Sequence, residues 1–478
     1  MDLFGFDVSM GTIVTSTLEI VLLIVIGTGL LQNGLYVLQL VLAMRELATQ
    51  RPEKRASLLW RRYAEISPPI SLLVPAFNEE LSIVDSLRSM LALNYPDFEV
   101  IAVNDGSKDG TLQAMIDGFD LKPILRHYTE VVQHEPVRGL YGSPQYPRLL
   151  VVDKGNGGKS DALNAGINLS RFPIFCAVDA DSILESDALL RAVQPFIDDP
   201  TRTVAVGGTI RIANGCRIER GRMLSFGLPG NLLALFQTIE YLRAFLMARL
   251  AWSRLRTLTI ISGAFGLFKR QTVIEVGGYS HRTVGEDMEL VVKIHRHMRD
   301  RRQDYQIVFV PEPVCWTEAP ESWRVLGRQR SRWQRGALET FFRHRDMLFR
   351  PRYGRIGLLG FGHVLVVDVL GPPIEVLGYL LVPMLWMLGL LSVDYLLAFL
   401  ALTFVFGIFV SVASLILEEI ELQRVPRVLD LVLLTGIAII ENFGYRQISN
   451  LWRLRGMWQY LRGAQGWGVM SRVGFRGA

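Results

Sequence analysis

Six short segments hold residue types able to do chemistry. In "DADS" (179–182), Asp179 and Asp181 stand one residue apart. Mg2+ and Mn2+ take oxygen ligands and are commonly held by one or two carboxylates plus substrate phosphates. Asp105 lies in "NDGSKDGT" (104–111), a Gly-containing turn where a carboxylate can accept paired hydrogen bonds from a base or ribose. A simple Asx turn explains the same residue without a ligand. In "DKGNGGKSDALN" (153–164) the glycines free backbone N–H groups at a helix start, and Lys159 brings charge to a phosphate. A helix cap accounts for Ser160 and Asp161 but not for Gly-Gly-Lys. "PAFNEE" (75–80) supplies a polar cap to the next helix and is weak alone. Glu286 and Asp287 open "EDMELVVKIHR" (286–296). Asp287 is either an N-terminal cap or a general base within reach of an acceptor hydroxyl. Finally, "GRQRSRWQRG" (327–336) sets four arginines around Trp333. That pattern fits the basic flank of a membrane helix, or a site gripping an anion and a flat ring.

These segments need a scaffold that brings them together. Short β-rich runs occur at 70–74, 99–103, 149–152, 174–178 and 204–208, with helical periodicity at 79–93 and 159–170. Such alternation predicts a mainly parallel sheet covered on both faces. Ligands of such sheets bind beyond the carboxyl ends of the strands, which is where "PAFNEE", Asp105, the Gly-rich run and "DADS" fall. Residues 119–148 read as an inserted loop. "ISGAFGLFKR" (261–270) is a glycine-spaced apolar run that lets backbone approach a ligand.

Half of the 478 residues are hydrophobic, and they are unevenly distributed. Ile20 to Met44 is an uncharged run long enough to cross a bilayer core of roughly 30 Å. Its leader holds Asp2 and Asp7 and it lacks a cleavage site, so it is expected to be a retained anchor. The basic residues that follow it predict a cytoplasmic central domain. A second apolar block, from about 356 to 451, divides into 357–371, 374–393, 395–417 and a weaker 428–448, with "GPP" (371–373) as a break. Two or four crossings both return the chain to the cytoplasm. The segment 223–256 is apolar but carries Glu240, Arg243 and Arg249, and is expected to be an amphipathic helix at the membrane surface. The predicted organisation is 1–48 membrane helix and flank, 49–345 catalytic domain, 346–455 membrane and interface helices, and 456–478 basic tail. The +5 formal charge lies beside apolar segments, which favours anionic lipid and argues against nucleic acid. Cys176, Cys216 and Cys315 have no metal or disulfide spacing.

Taken in order, Asp105, Asp179-Ala-Asp181, Gly285-Glu286-Asp287 and Gln329-Arg-Ser-Arg332-Trp333 resemble the motifs of the membrane-bound family 2 glycosyltransferases. That group includes the cellulose, chitin, hyaluronan and poly-N-acetylglucosamine synthases, and "NGGKSDALNAG" is most similar to the last branch. The resemblance runs from about 70 to 336. It implies a GT-A nucleotide-diphospho-sugar transferase fold, α/β, joined to an α-helical transmembrane region at the inner membrane. It also implies inverting transfer from a UDP-sugar, with Mg2+ or Mn2+ as cofactor. By position, Asp105 binds uridine, Lys159 sits near the nucleotide, and Asp179 and Asp181 serve the diphosphate and its metal. Asp287, with Glu286 beside it, deprotonates the acceptor. Gln329, Arg332 and Trp333 line the acceptor end and help hold the diphosphate, leaving Arg328, Arg330 and Arg335 as membrane flank. One departure is Gly285, where Thr is usual.

The expected activity is processive synthesis and translocation of a β-glycan, with UDP-N-acetylglucosamine favoured over UDP-glucose. Expected partners are the donor, a growing glycan or lipid acceptor, membrane lipid and an accessory membrane subunit. Transfer of one sugar to a polyprenyl phosphate or glycolipid is the alternative, and a non-enzymatic transport subunit is a minor one.

Overall fold

The computed structural model describes residues 10–49, 56–219, 222–422 and 427–464. The leader acids Asp2 and Asp7, part of the basic flank and most of the tail lie outside them.

The central domain is built on a sheet of ten strands among the described residues. The predicted strands are present as Ile70–Ala76, Phe98–Asn104, Leu149–Lys154, Ile174–Val178 and Thr203–Ile212. The first four lie side by side in parallel, with Ile70–Ala76 between Phe98–Asn104 and Ile174–Val178. Their residues are nearly all buried, as strands covered on both faces must be. Helices Ile83–Leu91 and Lys159–Leu169 fall within the predicted helical stretches.

The sheet is more mixed than expected. Phe265–Lys269 enters antiparallel between Ile174–Val178 and Thr203–Ile212, so part of the apolar run 261–270 is a central strand. Gln306–Thr317 adds a long strand parallel to Thr203–Ile212. The stretch 119–148 is not wholly loop: Val137–Gly142 pairs antiparallel with Leu149–Lys154 near the sheet edge.

Among the described residues, three helices are long and apolar enough to cross a membrane, at Thr17–Thr49, Ile356–Met387 and Val393–Glu419. A fourth candidate is the pair Val428–Ile440 and Tyr445–Leu461, bent by 57°. The "GPP" sequence does not divide the second of these. π-helical backbone at Val364–Leu370 leads directly into the α-helix Gly371–Met387. Prolines 372 and 373 cannot bond back to the preceding turn, and the carbonyls there find side-chain partners instead. Gln32 Nε2 donates to Val366 O at 3.5 Å, Arg453 Nη2 to Val367 O at 2.8 Å, and Gln334 Nε2 to Asp368 O at 2.5 Å. Irregular backbone at membrane depth persists where protein satisfies it.

Residues 232–254 form a continuous helix that starts later than the sequence suggested, because Arg222–Ser225 pairs as a strand with Arg217–Glu219. Leu233, Leu235, Phe236, Ile239 and Leu242 bury against Leu415, Leu434 and Ile437 of the apolar helices. Farther along, Phe245, Leu246 and Leu250 join the core of the sheet domain. All three cysteines are buried.

Candidate active site

Strand geometry explains how the acidic turns converge. Ile70–Ala76 and Phe98–Asn104 run in register to Ala76 opposite Asn104, and Asp105 N donates to Ala76 O at 2.9 Å. Asp179 and Asp181 follow Val178, the last residue of the strand on the other side of Ile70–Ala76. The Gly-rich run follows Lys154 on the same edge.

Asp105 is buried and held by the protein's own donors. Lys154 Nζ lies 2.6 Å from Oδ1, Gly157 N donates to Oδ1 at 3.0 Å, and Gly158 N to Oδ2 at 2.7 Å. Burial raises its pKa above the ordinary value, partly offset by Lys154 and these N–H groups. The fully buried Lys154 also pairs with Asp161, which in turn lies 3.3 Å from His281. Lys154 was not among the expected site residues. A lysine beside "NGGK" suggests a surface charge, since buried lysines are rare.

Lys159 Nζ pairs with Asp179, lies 3.9 Å from Glu286 and donates to Gly263 O at 3.2 Å. Burial alone would lower its pKa, but Asp179, Glu286 and Asp287 outweigh that and hold the ammonium above its ordinary value. Glu286 and Asp287 open helix Glu286–Asp300. Asp287 Oδ2 accepts from Gly263 N at 3.3 Å. Glu286 is pushed up to about 8 by burial; Lys159 pulls against that and the neighbouring Asp287 charge adds to it. Burial thus favours the protonated form of Glu286, which sits beside the candidate base.

Helix Trp323–Arg343 carries the basic-aromatic segment. Trp333 is 45% exposed, and the Arg330 guanidinium stacks 4.2 Å from its ring centre. Arg330 and Arg335 are buried ion pairs and not a solvated flank: Arg330 donates to Glu240 at 2.6 Å, and Arg335 lies 3.5 Å from Glu339. The helix packs along Tyr445–Leu461, so arginines on that face meet protein.

The nine residues singled out from the sequence, Asp105, Lys159, Asp179, Asp181, Glu286, Asp287, Gln329, Arg332 and Trp333, all line one cavity of about 1770 Å³. The cavity continues past Trp333 to polar groups of the apolar helices, including His363, Asp368, Glu375 and Glu441. Arg249 also lines it, with burial lowering the guanidinium to about 10 and Asp287 opposing that shift. The sequence signal for Arg249 was a cation inside an apolar run.

Residues 71–277 match the family described as "Glycosyl transferase family 2". The chain carries a family 2 glycosyltransferase domain. The match stops short of Glu286, Asp287 and the Trp333 segment, which the fold brings to the same cavity. The chain is 29% identical over 294 residues to a "Poly-beta-1,6-N-acetyl-D-glucosamine synthase" of Staphylococcus epidermidis, covering 62% of this chain and 60% of that one. It is 28% identical over 302 residues to "Probable glycosyltransferase YdaM" of Bacillus subtilis, covering 62% of each. The chain thus spans about three-fifths of the length of these relatives. Among solved structures, a mannosyltransferase from Pyrobaculum calidifontis, in complex with GDP-Man and Mn2+, superposes with a TM-score of 0.50 at 17% identity. That alignment covers 92% of this chain and 100% of the other. The fold is GT-A.

Proposed function

We propose that the transferase polymerises a UDP-sugar by inverting transfer into a β-linked glycan and passes the product through its apolar helices. UDP-N-acetylglucosamine is the favoured donor and UDP-glucose the second. The observation that carries this reading is the single cavity, which joins the acidic strand ends, the base-bearing helix and Trp333 to the polar groups of the membrane helices. The likeness to the staphylococcal poly-N-acetylglucosamine synthase supports the sugar and the polymer.

Asp105 and the Gly-rich run would take the nucleoside end. Asp179 and Asp181 are the residues to hold Mg2+ or Mn2+. Among the described residues no cluster of three His, Cys, Asp or Glu groups forms a protein cage, which suits a hard ion that completes its shell with substrate phosphates. Such an ion supplies Lewis-acid charge to the departing diphosphate. Lys159 and Arg332 add fixed positive charge there. Trp333 offers its face to the acceptor sugar. Asp287 takes the acceptor proton as the new C–O bond forms opposite the departing UDP, which leaves with the electron pair of the broken bond. Neutral Glu286 avoids a second negative charge beside that base. The catalytic side would face the cytoplasm, with the chain in the inner membrane and an accessory membrane subunit beside it.

The test is reconstitution in vesicles with Mg2+ or Mn2+ and a panel of UDP-sugars, following UDP release and product size together. Long polymer from UDP-N-acetylglucosamine is expected. Release of UDP with only a single-sugar lipid product would replace this reading by transfer to a polyprenyl phosphate or glycolipid.

A further inference from the structure

The loop that leads into Ile356–Met387 is built unlike a simple connector. Residues 345–355 read "RDMLFRPRYGR". Two 3₁₀ turns, Arg345–Met347 and Pro351–Tyr353, shape it, and Phe349 N donates to Gly357 O at 3.3 Å to close it. Met347 and Tyr353 are buried beneath it, packed with Phe361 and Val364 of the apolar helix and with Met288 and Val292 of helix Glu286–Asp300.

What the loop presents outward is specific. Phe349 has φ of 55°, a left-handed conformation that bulky residues rarely adopt. Strain of this kind persists where the surroundings over-determine it and marks sites of function. The Phe349 ring is 59% exposed, and Leu358 is exposed as well. The ring also flanks the apolar helix itself: a Cβ on Gly362 would stand 3.8 Å from Phe349 Cε1. Gly362 is six residues beyond Ile356, or about 9 Å at the helical rise of ~1.5 Å per residue. The ring therefore lies alongside a segment proposed to be within the bilayer.

Around it, Arg345, Arg350, Arg352 and Arg355 are exposed. The nearby acids are already engaged. Asp346 pairs with Arg296 at 2.8 Å, and Asp300 with Arg352 at 2.8 Å. Arg345, Arg350 and Arg355 have no acidic partner among the described residues. Three arginines without an acidic partner among the described residues thus share one short loop with an exposed aromatic, just before an apolar helix. Guanidinium forks match phosphate geometry, and basic residues beside a membrane draw anionic headgroups.

We infer that residues 345–358 form a docking surface for anionic phospholipid. Phe349 and Leu358 enter the acyl boundary, and Arg345, Arg350 and Arg355 hold headgroup phosphates. The inference depends on Ile356–Met387 spanning the membrane and not on which sugar is transferred. It also links the lipid to the catalytic helix, because the Asp346–Arg296 and Arg352–Asp300 pairs and the shared apolar cluster fasten the loop to helix Glu286–Asp300.

Lipid retention tests it without any sugar nucleotide. The full chain is reconstituted in nanodiscs of phosphatidylcholine with phosphatidylglycerol, then released, and bound lipid is counted by native mass spectrometry. Wild type is expected to retain phosphatidylglycerol over phosphatidylcholine. The R345Q/R350Q/R355Q variant should lose that preference by at least about tenfold, each basic residue near an anionic surface being worth several-fold. R345K/R350K/R355K should restore most of it. Equal retention by wild type and the Gln variant would overturn the inference. So would loss in the Lys variant as well, which would assign the effect to a damaged loop. Displacement of the lipid by millimolar inorganic phosphate would also overturn it, in favour of a soluble-anion site.

Discussion

The backbones of Gly285 and Gly336 touch. A Cβ on Gly285 would stand 2.8 Å from Gly336 Cα, and one on Gly336 would stand 2.7 Å from Gly285 Cα. This contact fixes the start of helix Glu286–Asp300, which carries Asp287, against the helix that carries Trp333. Gly285 has φ of −119°, so its role is close approach and not an unusual conformation. Two residues earlier, the Thr283 hydroxyl accepts from Gly285 N at 3.2 Å. Thr283 donates to Glu339 Oε2 at 2.9 Å, and Val284 N donates to the same oxygen at 2.9 Å.

Introducing the usual threonine should therefore harm this chain. Gly285→Thr and Gly336→Ala each force two backbones apart, and displacements near 1 Å at a reacting centre cost about 100-fold in rate. UDP release is expected to fall by about tenfold or more, and the melting temperature to fall as well, since overpacking costs about 1–3 kcal/mol. Wild-type turnover by Gly285→Thr would show that the contact does not position Asp287.

The raised pKa of Glu286 sets a pH limb. UDP release should decline as pH rises through about 8, where Glu286 loses its proton beside Asp287. Glu286→Gln mimics the neutral form and should keep most activity at pH 7 while flattening that limb. The stability sign follows from the same shift. Between the ordinary value of 4.5 and about 8 the folded chain holds a proton that the unfolded chain releases, so this group's contribution falls as pH rises across that window. The Gln variant should lose that part of the pH dependence of melting. An inactive Glu286→Gln at pH 7 would mean that the carboxylate itself is required.

Asp287→Asn should reduce UDP release by about 10²- to 10⁴-fold, the range for removing a positioned general base. UDP affinity, read by calorimetry, should stay within a few-fold of wild type. A large loss of UDP binding would place Asp287 on the donor and not on the acceptor.

Lys154→Met should unfold the domain more than it alters chemistry. It strands Asp105 and Asp161 as buried charges, and removing one partner of a buried ion pair costs about 3–5 kcal/mol. Denaturant titration should register this, and adding Asp161→Asn should recover part of it. An unchanged midpoint would mean that water or rearrangement replaces the ammonium.

The difference between what sequence reveals and what only the structure reveals follows from locality. The parallel strands were legible because each is a short apolar run followed by a polar turn. Gln306–Thr317 was not, because Pro311 and Pro313 interrupt it, and its pairing is irregular near both prolines. Val137–Gly142 escaped because Gly139 and Gly142 weaken its β pattern. Residue types near the strand ends pointed to Asp105, Asp179 and Asp181, and the fold gathers them into one cavity. The partners that tune these residues were hidden, because burial and pairing are long-range. Arg330 meets Glu240 from ninety residues away, and Lys154 meets Asp105 from forty-nine.

The carbonyls of Val366, Val367 and Asp368 bear on how such a machine could move. Gln32 reaches the first, and Arg453 and Gln334 reach the other two from two helices that also hold each other, since Arg453 Nε donates to Gln334 Oε1 at 2.9 Å. Sliding the Trp333 helix along Ile356–Met387 would strip several of these partners together. The helices Trp323–Arg343 and Tyr445–Leu461 are therefore fastened to Ile356–Met387 as one unit.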